Sequence, residues 1–231
     1  MAATLVEDLQ REYPEAVFTG IVQAQCEVIS VAVDDGVARF VIDMGGLADG
    51  LQLGASVANN GTCLTASQID GPLVSFDVIG ETLHMTNLGA VNAGDRVNIE
   101  RSLKFGDELG GHILSGHVSG TVTVAEVERE GNNRTIWFDV DPAHMPFLLW
   151  KGFVALDGAS LTISRVDRAA NRIAVSLIPE TLERTTFGRV EVGDPVNLEI
   201  DSQTQGIVET VRNVLADPDL RSQIFNDLDS N

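Results

Sequence analysis

The chain has 231 residues, 44% of them apolar and 5% aromatic, so its core must rest on aliphatic side chains. Its 34 acidic residues against 15 basic ones give a net charge of −19, a surface that repels phosphate backbones and excludes a nucleic-acid partner. No apolar run reaches the roughly 18–20 residues that cross a bilayer, and residues 1–16 lack the basic start and apolar stretch of a signal peptide.

In chain order, Thr4 and Glu7 come first, spaced as a capping box for a short helix carrying Leu5, Val6 and Leu9. Cys26 and Cys63 make no disulfide framework, which sets the expectation of a reducing cytoplasm. Asp35-Gly36, Asn60-Gly61 and Asp70-Gly71 punctuate strand-like runs, and such pairs favour tight hairpins because both residues tolerate positive φ. "ETLHMTNLG" (Glu81 to Gly89) reads as a short helical turn, with Glu81 capping its start and Gly89 stopping it in the left-handed position. "VNIER" (Val97 to Arg101) alternates as a half-buried strand does.

The same phrases then return. "FTGIV" (Phe18 to Val22) pairs with "LSGHV" (Leu114 to Val118), and "NGTCLT" (Asn60 to Thr65) with "DGASLT" (Asp157 to Thr162). "ETLHMTNLG" pairs with "ETLERTTFG" (Glu180 to Gly188), and "GDRVNIE" (Gly94 to Glu100) with "GDPVNLE" (Gly193 to Glu199). Four blocks in one order mean a duplicated unit, and two copies are too few for a solenoid. About six short strands per copy with turns between them predict two small closed barrels in tandem. The expected domains are an extension over residues 1–16, barrels over 17–112 and 113–204, and a helical segment over 205–231. In that last segment Ile207, Val208, Val211, Val214 and Leu215 form one apolar stripe. Asp217-Pro218 ends the helix and starts a second turn bearing Leu220, Ile224, Phe225 and Leu228. The stripe either docks on its own barrel or meets other subunits.

No metal site is expected. His112 and His117 are five apart, which on a strand puts them on opposite faces, and neither cysteine belongs to a C-x-x-C pair. A nucleophile elbow and a phosphate-binding loop are also missing from the sequence. What remains is a set of small polar residues near turns: Ser56, Cys63, Thr65, Ser115, Ser160 and Thr162, with His117 and Lys151. Singly, each has a bland reading, such as a small buried hydrophobe for Cys63 or a strand former for each Thr. Their duplication points instead to two similar pockets. The differences between copies, His117 for Ile21 and Ser160 for Cys63, point to divided labour.

These blocks, together with "GGHILSGHV" (Gly110 to Val118), "LIPETLERTT" (Leu177 to Thr186) and "VNLEIDSQTQ" (Val196 to Gln205), resemble the α-type, trimeric riboflavin synthase family, nearest its enterobacterial branch. The likeness runs from Val17 to about Ala216. The resemblance implies an all-β fold of two tandem homologous six-stranded Greek-key barrels with a C-terminal amphipathic helix. It implies that each barrel holds one 6,7-dimethyl-8-ribityllumazine, and that one molecule gives a four-carbon unit to the other. The products are riboflavin and 5-amino-6-(D-ribitylamino)uracil. The reacting pair would lie between the first barrel of one subunit and the second of its neighbour in a homotrimer, with no metal or organic cofactor. An association with lumazine synthase belongs to the same expectation.

Carried over by residue, the resemblance gives the second barrel's pocket as Gly116, His117, Val118, Lys151, Ser160, Leu161, Thr162, Ile178, Pro179, Glu180, Thr181, Leu182 and Glu183. The first barrel's is Gly20, Ile21, Val22, Ser56, Cys63, Leu64, Thr65, Asp77, Val78, Ile79, Gly80, Glu81 and Thr82, with Phe18 and Asp201 as further candidates. The catalytic set is His117, Ser160, Thr162, Cys63 and Lys151. His117 and the Ser160/Thr162 pair would take the first proton, and Cys63 would serve the partner molecule. Departures are Asn59, Thr62, Ser119 and the residues before Val17. The alternative is a non-catalytic, antenna-type lumazine or flavin carrier, a class that typically lacks the histidine and the second polar pair.

Overall fold

The computed structural model describes residues 16–222. The capping box at Thr4 and Glu7 with Leu5, Val6 and Leu9, and the residues Ile224, Phe225 and Leu228, lie outside the described residues. The first unit contains β1 (Ala24–Asp34), β2 (Val37–Asp43), β3 (Ser56–Asn59), β4 (Thr62–Asp70), β5 (Leu73–Ile79), helix α1 (Gly80–Met85) and β6 (Arg96–Arg101). The second repeats it with β7 (Gly120–Glu130), β8 (Asn133–Asp139), β9 (Phe153–Leu156), β10 (Ala159–Asp167), β11 (Arg172–Leu177), α2 (Pro179–Arg184) and β12 (Pro195–Ile200). Helix α3 (Ser202–Ala216) follows.

Each unit closes into an antiparallel barrel, β1-β2-β5-β4-β3-β6 and β7-β8-β11-β10-β9-β12. Three hairpin-linked strands followed by one that returns beside the first is a Greek key, and closure leaves no open sheet edge. Even the irregularities are duplicated. Bulges interrupt β1 between Val28 and Ser30, β7 between Val124 and Glu126, β4 between Ala66 and Gln68, and β10 between Ile163 and Arg165. Alternation puts Val28, Phe40, Phe76 and Val97 inside the first barrel and Val124, Ile136, Phe138 and Leu198 inside the second.

The hairpin turns follow their sequence. Asp35-Gly36, Asn60-Gly61 and Asp157-Gly158 all have both residues at positive φ, between 43° and 80°. Asp70 differs, since it ends β4 and the turn is Gly71-Pro72 with Gly71 alone at positive φ among the pair. The helical turns are present, but Gly89 and Gly188 do not stop them. Thr86 and Thr185 do, with extended backbone, and each hydroxyl donates to the carbonyl four residues back at 2.6 Å. Gly89 and Gly188 are required for a different reason, because a Cβ there would run into the carbonyl oxygens of Leu83 and Leu182. Nor do Glu81 and Glu180 cap: the N-cap residues are Ile79 and Ile178, whose side chains cannot accept, and Glu180 pairs with Arg184 instead. Both glutamates still lie in first turns, where negative charge meets the helix dipole favourably.

Asp201 caps α3, its Oδ2 accepting from Thr204 N at 2.9 Å. Val208 packs on the second barrel's core and Arg212 lies over the Phe147 ring, 5.7 Å from its centroid. Ile207, Val211 and Leu215 face outward and are 67%, 52% and 51% exposed. The stripe therefore divides, one edge docked in cis and the rest uncovered. Past Asp217 the chain turns helical again, with Asp217 Oδ1 accepting from the amides of Asp219 and Leu220.

The two barrels meet about a pseudo-two-fold axis. Phe18 and Leu114 exchange both backbone hydrogen bonds, at 2.9 and 3.0 Å. Gly61 and Gly158 touch so closely that a Cβ on either would stand 2.7 Å from the other's amide nitrogen. Around them lies a buried polar network. Asn98 Nδ2 donates to Asp157 O at 2.9 Å, and Asn197 Nδ2 donates to Asn60 O at 2.8 Å. Among the described residues, no helix is long and apolar enough to cross a membrane.

Candidate functional site

The outward faces of the barrels carry the polar residues. In the first barrel, Ser56 pairs with Thr65 across β3 and β4, and Asp77 pairs with Arg39 across β5 and β2. The Ala66–Phe76 register sets Asp77 beside Thr65, so Ser56, Thr65, Asp77 and Arg39 form one rank across four strands. The second barrel has the matching rank Phe153, Thr162, Ser176 and Thr135. Cys63 and Ser160 lie two residues along from Thr65 and Thr162, on the same outward face. Helices α1 and α2 begin where β5 and β11 end, which brings Ile79 to Thr82 and Ile178 to Glu183 to the ends of these ranks. Ile79 and Ile178 are exposed there.

The segments before each barrel cross the two-fold. Gly20 O accepts from Ser160 N at 2.8 Å, and Val22 is buried in the second barrel's core. Gly116 O accepts from Cys63 N at 2.9 Å. Gly20 and Gly116 both have positive φ, 72° and 77°, and a Cβ at either would sit 2.5–2.6 Å from the Cβ of its partner. The expected grouping is thereby exchanged: Gly116, His117 and Val118 belong with Cys63 of the first barrel, and Gly20, Ile21 and Val22 with Ser160 of the second. A buried glutamate anchors each crossing. Glu100 accepts from Thr19 N (2.6 Å), Thr19 Oγ1 (2.7 Å) and Gly20 N (2.9 Å), and Glu199 accepts from Ser115 N (2.8 Å), Ser115 Oγ (2.9 Å) and Gly116 N (3.2 Å). Burial raises both carboxyls, and these hydrogen bonds work the other way.

Ser160 has a partner that the sequence did not suggest. His112 is buried and stacks on Phe153, ring centroids 5.0 Å apart, with its Nδ1 2.6 Å from Ser160 Oγ. Its Nε2 is buried with no hydrogen bond among the described residues. Burial lowers the His112 pKa, against the opposing pull of Asp201, so the ring is neutral at pH 7. Asp201 is itself net lowered: burial would raise it, but the Thr204 hydrogen bonds and His112 outweigh that. His117 is exposed, its amide donating to Ser115 Oγ at 3.3 Å, and no hydrogen bond joins it to Ser160 or Thr162.

On the other side, burial pushes the Cys63 thiol up, partly offset by a hydrogen bond with Ser56. It is a neutral thiol in this fold, poorly suited to act as a nucleophile. Lys151 has φ 65° where the first copy has Gly54 at φ 83°. A lysine held in a conformation that suits glycine stores strain of order 1 kcal/mol, as residues at functional sites often do. Among the described residues, no group of three or more His, Cys, Asp or Glu could hold a metal.

A lumazine-binding domain profile matches residues 19–102 and again 115–201. Riboflavin synthase of Escherichia coli is 50% identical over 201 residues, 86% of this chain and 93% of that one. The chain belongs to the riboflavin synthase family. Its reach is wide, since the riboflavin synthase of Schizosaccharomyces pombe is 35% identical over 83% of this chain and 94% of its own length. LumP complexed with 6,7-dimethyl-8-(1'-D-ribityl) lumazine has a similar structure, with a TM-score of 0.71 and 26% identity over 79% of this chain and 98% of that one.

The structure brings the sequence candidates Ser56, Cys63, Thr65, Ser160 and Thr162 onto these faces, beside His112, Phe153, Ser176, Thr135 and Arg39, which the sequence reading had not singled out for a pocket. The repeat shift could have supplied two of the latter, Phe153 from Ser56 and Ser176 from Asp77, whereas Arg39 and Thr135 correspond only to each other. His112 falls where the first copy has Ala16, so the repeat gave no signal for it.

Proposed function

We propose that the chain is a riboflavin synthase that dismutates two molecules of 6,7-dimethyl-8-ribityllumazine into riboflavin and 5-amino-6-(D-ribitylamino)uracil. The observation that carries this reading is the pair of equivalent ranks with unlike reactive neighbours, Cys63 in one and the Ser160–His112 pair in the other. A reaction between two copies of one substrate needs two similar pockets, and donor and acceptor need different polar groups. The methyl group on one lumazine ring must lose a proton. Neutral His112 can accept through Ser160, and Ser160 and Thr162 share a face from which to stabilise the charge as it develops. His117, beside Cys63, serves the other molecule, and Lys151 supplies a cation at the second barrel's rim.

Both ranks lie on open outer walls, so a second subunit is needed to enclose the reacting pair. The uncovered face of α3, with Ile207, Val211 and Leu215, suits assembly into a homotrimer. The same reading places the enzyme in the cytoplasm, where lumazine synthase would supply its substrate.

The test is to incubate the chain with 6,7-dimethyl-8-ribityllumazine alone. Riboflavin absorbance should rise, with the uracil product in equal amount. Lumazine bound but never converted would mean an antenna-type carrier instead.

A further inference from the structure

The two buried glutamates stand in one barrel and hold the turn that serves the other. Glu100 lies on β6 in register with Ala58 and, through Ala58, with Cys63 of its own barrel. Glu199 lies on β12 in register with Ala155 and, through it, with Ser160. Their carboxylates nevertheless hold the two segments that cross the two-fold. The turn that Glu100 holds at Thr19 and Gly20 carries both halves of the Ser160–His112 pair on its carbonyls. Thr19 O accepts from His112 N at 3.1 Å, and Gly20 O accepts from Ser160 N at 2.8 Å. A Cβ at Gly111 would stand 2.1 Å from Thr19 O and 2.8 Å from Ser160 Cβ, so the turn, the serine and the histidine segment are packed with no slack. The turn that Glu199 holds at Ser115 and Gly116 carries the thiol side. Gly116 O accepts from Cys63 N at 2.9 Å, and Ser115 Oγ accepts from the amide of His117 at 3.3 Å.

Resting on the proposed function, we propose that Glu100 and Glu199 are crossed positioning residues: Glu100 sets the Ser160–His112 pair of the second barrel, and Glu199 sets Cys63 of the first together with His117. Each acts through a turn of two residues. Three donors converge on each carboxylate, two amides and one hydroxyl, so only a group that accepts at both oxygens satisfies them all. Charge-assisted bonds in a buried setting fix such a turn more firmly than neutral ones. An amide in place of the carboxylate would set one N–H against another and let the turn shift. A shift of about 1 Å at a reacting group can cost about 100-fold in rate, so the effect falls on turnover and little on ligand affinity.

The test uses the full chain with Glu100→Gln or Glu199→Gln and reads each side without ligand. Glu100→Gln should shift the imidazole nitrogen resonances of His112, assigned by their loss in His112→Asn. It should leave the rate at which iodoacetamide alkylates Cys63, followed by peptide mass spectrometry, within about twofold. Glu199→Gln should do the reverse, changing Cys63 alkylation about fivefold or more with the His112 resonances in place. Thr19→Val and Ser115→Ala keep both carboxylates and cut one of the three bonds, so they should repeat the two patterns at smaller size and decide the matter even where a glutamine variant does not fold. A general loosening of the structure would move both signals in every variant. An action confined to each glutamate's own barrel would put the Glu100 change at Cys63. Either pattern, or no change at all, would overturn the crossed assignment. With 6,7-dimethyl-8-ribityllumazine, turnover should fall about 10- to 100-fold in both glutamine variants, with affinity kept within a few-fold. Wild-type chain that converts no lumazine would count against the proposed function, while the two ligand-free signals would still decide the positioning.

Discussion

His112 gives the sharpest expectation at the scale of single residues. General bases contribute about 10²–10⁴-fold, so His112→Asn should lower turnover by that order in steady-state assays, with ligand affinity nearly kept. Because burial lowers its pKa, the acid limb of the rate profile should fall below the ordinary histidine value of about 6.5. His117→Gln, on the Cys63 side, should cost less. The buried Asp157 makes a second case. Burial raises its carboxyl to about 7, against hydrogen bonds from Asn197 and Asn87. In the other copy Asn60 stands at that position and its Nδ2 donates to Asn87 Oδ1, whereas the equivalent Thr186 Oγ1 is buried without a partner. A protonated Asp157 suits that place. The folded carboxyl has the higher pKa, so its contribution is full below the unfolded value of about 3.9 and is lost as pH rises through about 7, at most about 4 kcal/mol. Asp157→Asn should flatten thermal stability over that window and raise Tm at pH 8. Cys63 and Ser160 could be read from the sequence because they are repeated. His112 could not, since its contact with Ser160 spans 48 residues and the first copy has Ala16 in its place.

Elements were the most legible scale, for a local reason. A hairpin at Asn60-Gly61 or Asp157-Gly158 is decided by two residues that accept positive φ, and the flanking alternation decides the rest. The misreadings at Gly89 and Gly188 have a different origin. Both glycines are required by the carbonyls of Leu83 and Leu182, which the chain folds back onto after the extended Thr86 and Thr185, a contact that no single-residue propensity encodes. Gly188→Ala should therefore cost about 1–3 kcal/mol in denaturant titrations, as overpacked positions do. Helix α3 was read correctly as amphipathic, yet only Val208 of its stripe packs against the barrel core. Ile207→Glu with Val211→Glu should leave the fold intact and reduce the mass seen by analytical ultracentrifugation to that of one chain, abolishing turnover with it. An unchanged mass would remove α3 from the interface.

At the scale of the whole molecule, a repeat tells which residues are equivalent but not which copy each one serves. That is why the crossing of Gly20–Val22 and Gly116–Val118 escaped the sequence. An active site shared between subunits has a further signature. Thr65→Arg should block the first barrel of one chain and Thr162→Arg the second barrel of another, both at exposed positions. Each variant alone should be inactive. Randomly mixed trimers should recover about a quarter of wild-type turnover, because about three-quarters of the rings are mixed and each mixed ring rebuilds one of its three sites. A site contained in one chain would recover none. The reciprocal Phe18–Leu114 bridge carries a consequence about origins. An interface in which each half gives the other the same strand and takes it back is the isologous contact of a symmetric dimer. The duplicated chain has the geometry of such a dimer joined covalently, and its two halves, with no need to be identical, carry a thiol side and a hydroxyl–imidazole side. A fragment ending before His112 should therefore run as a dimer in analytical ultracentrifugation, pairing with a second copy of itself, Phe18 against Phe18.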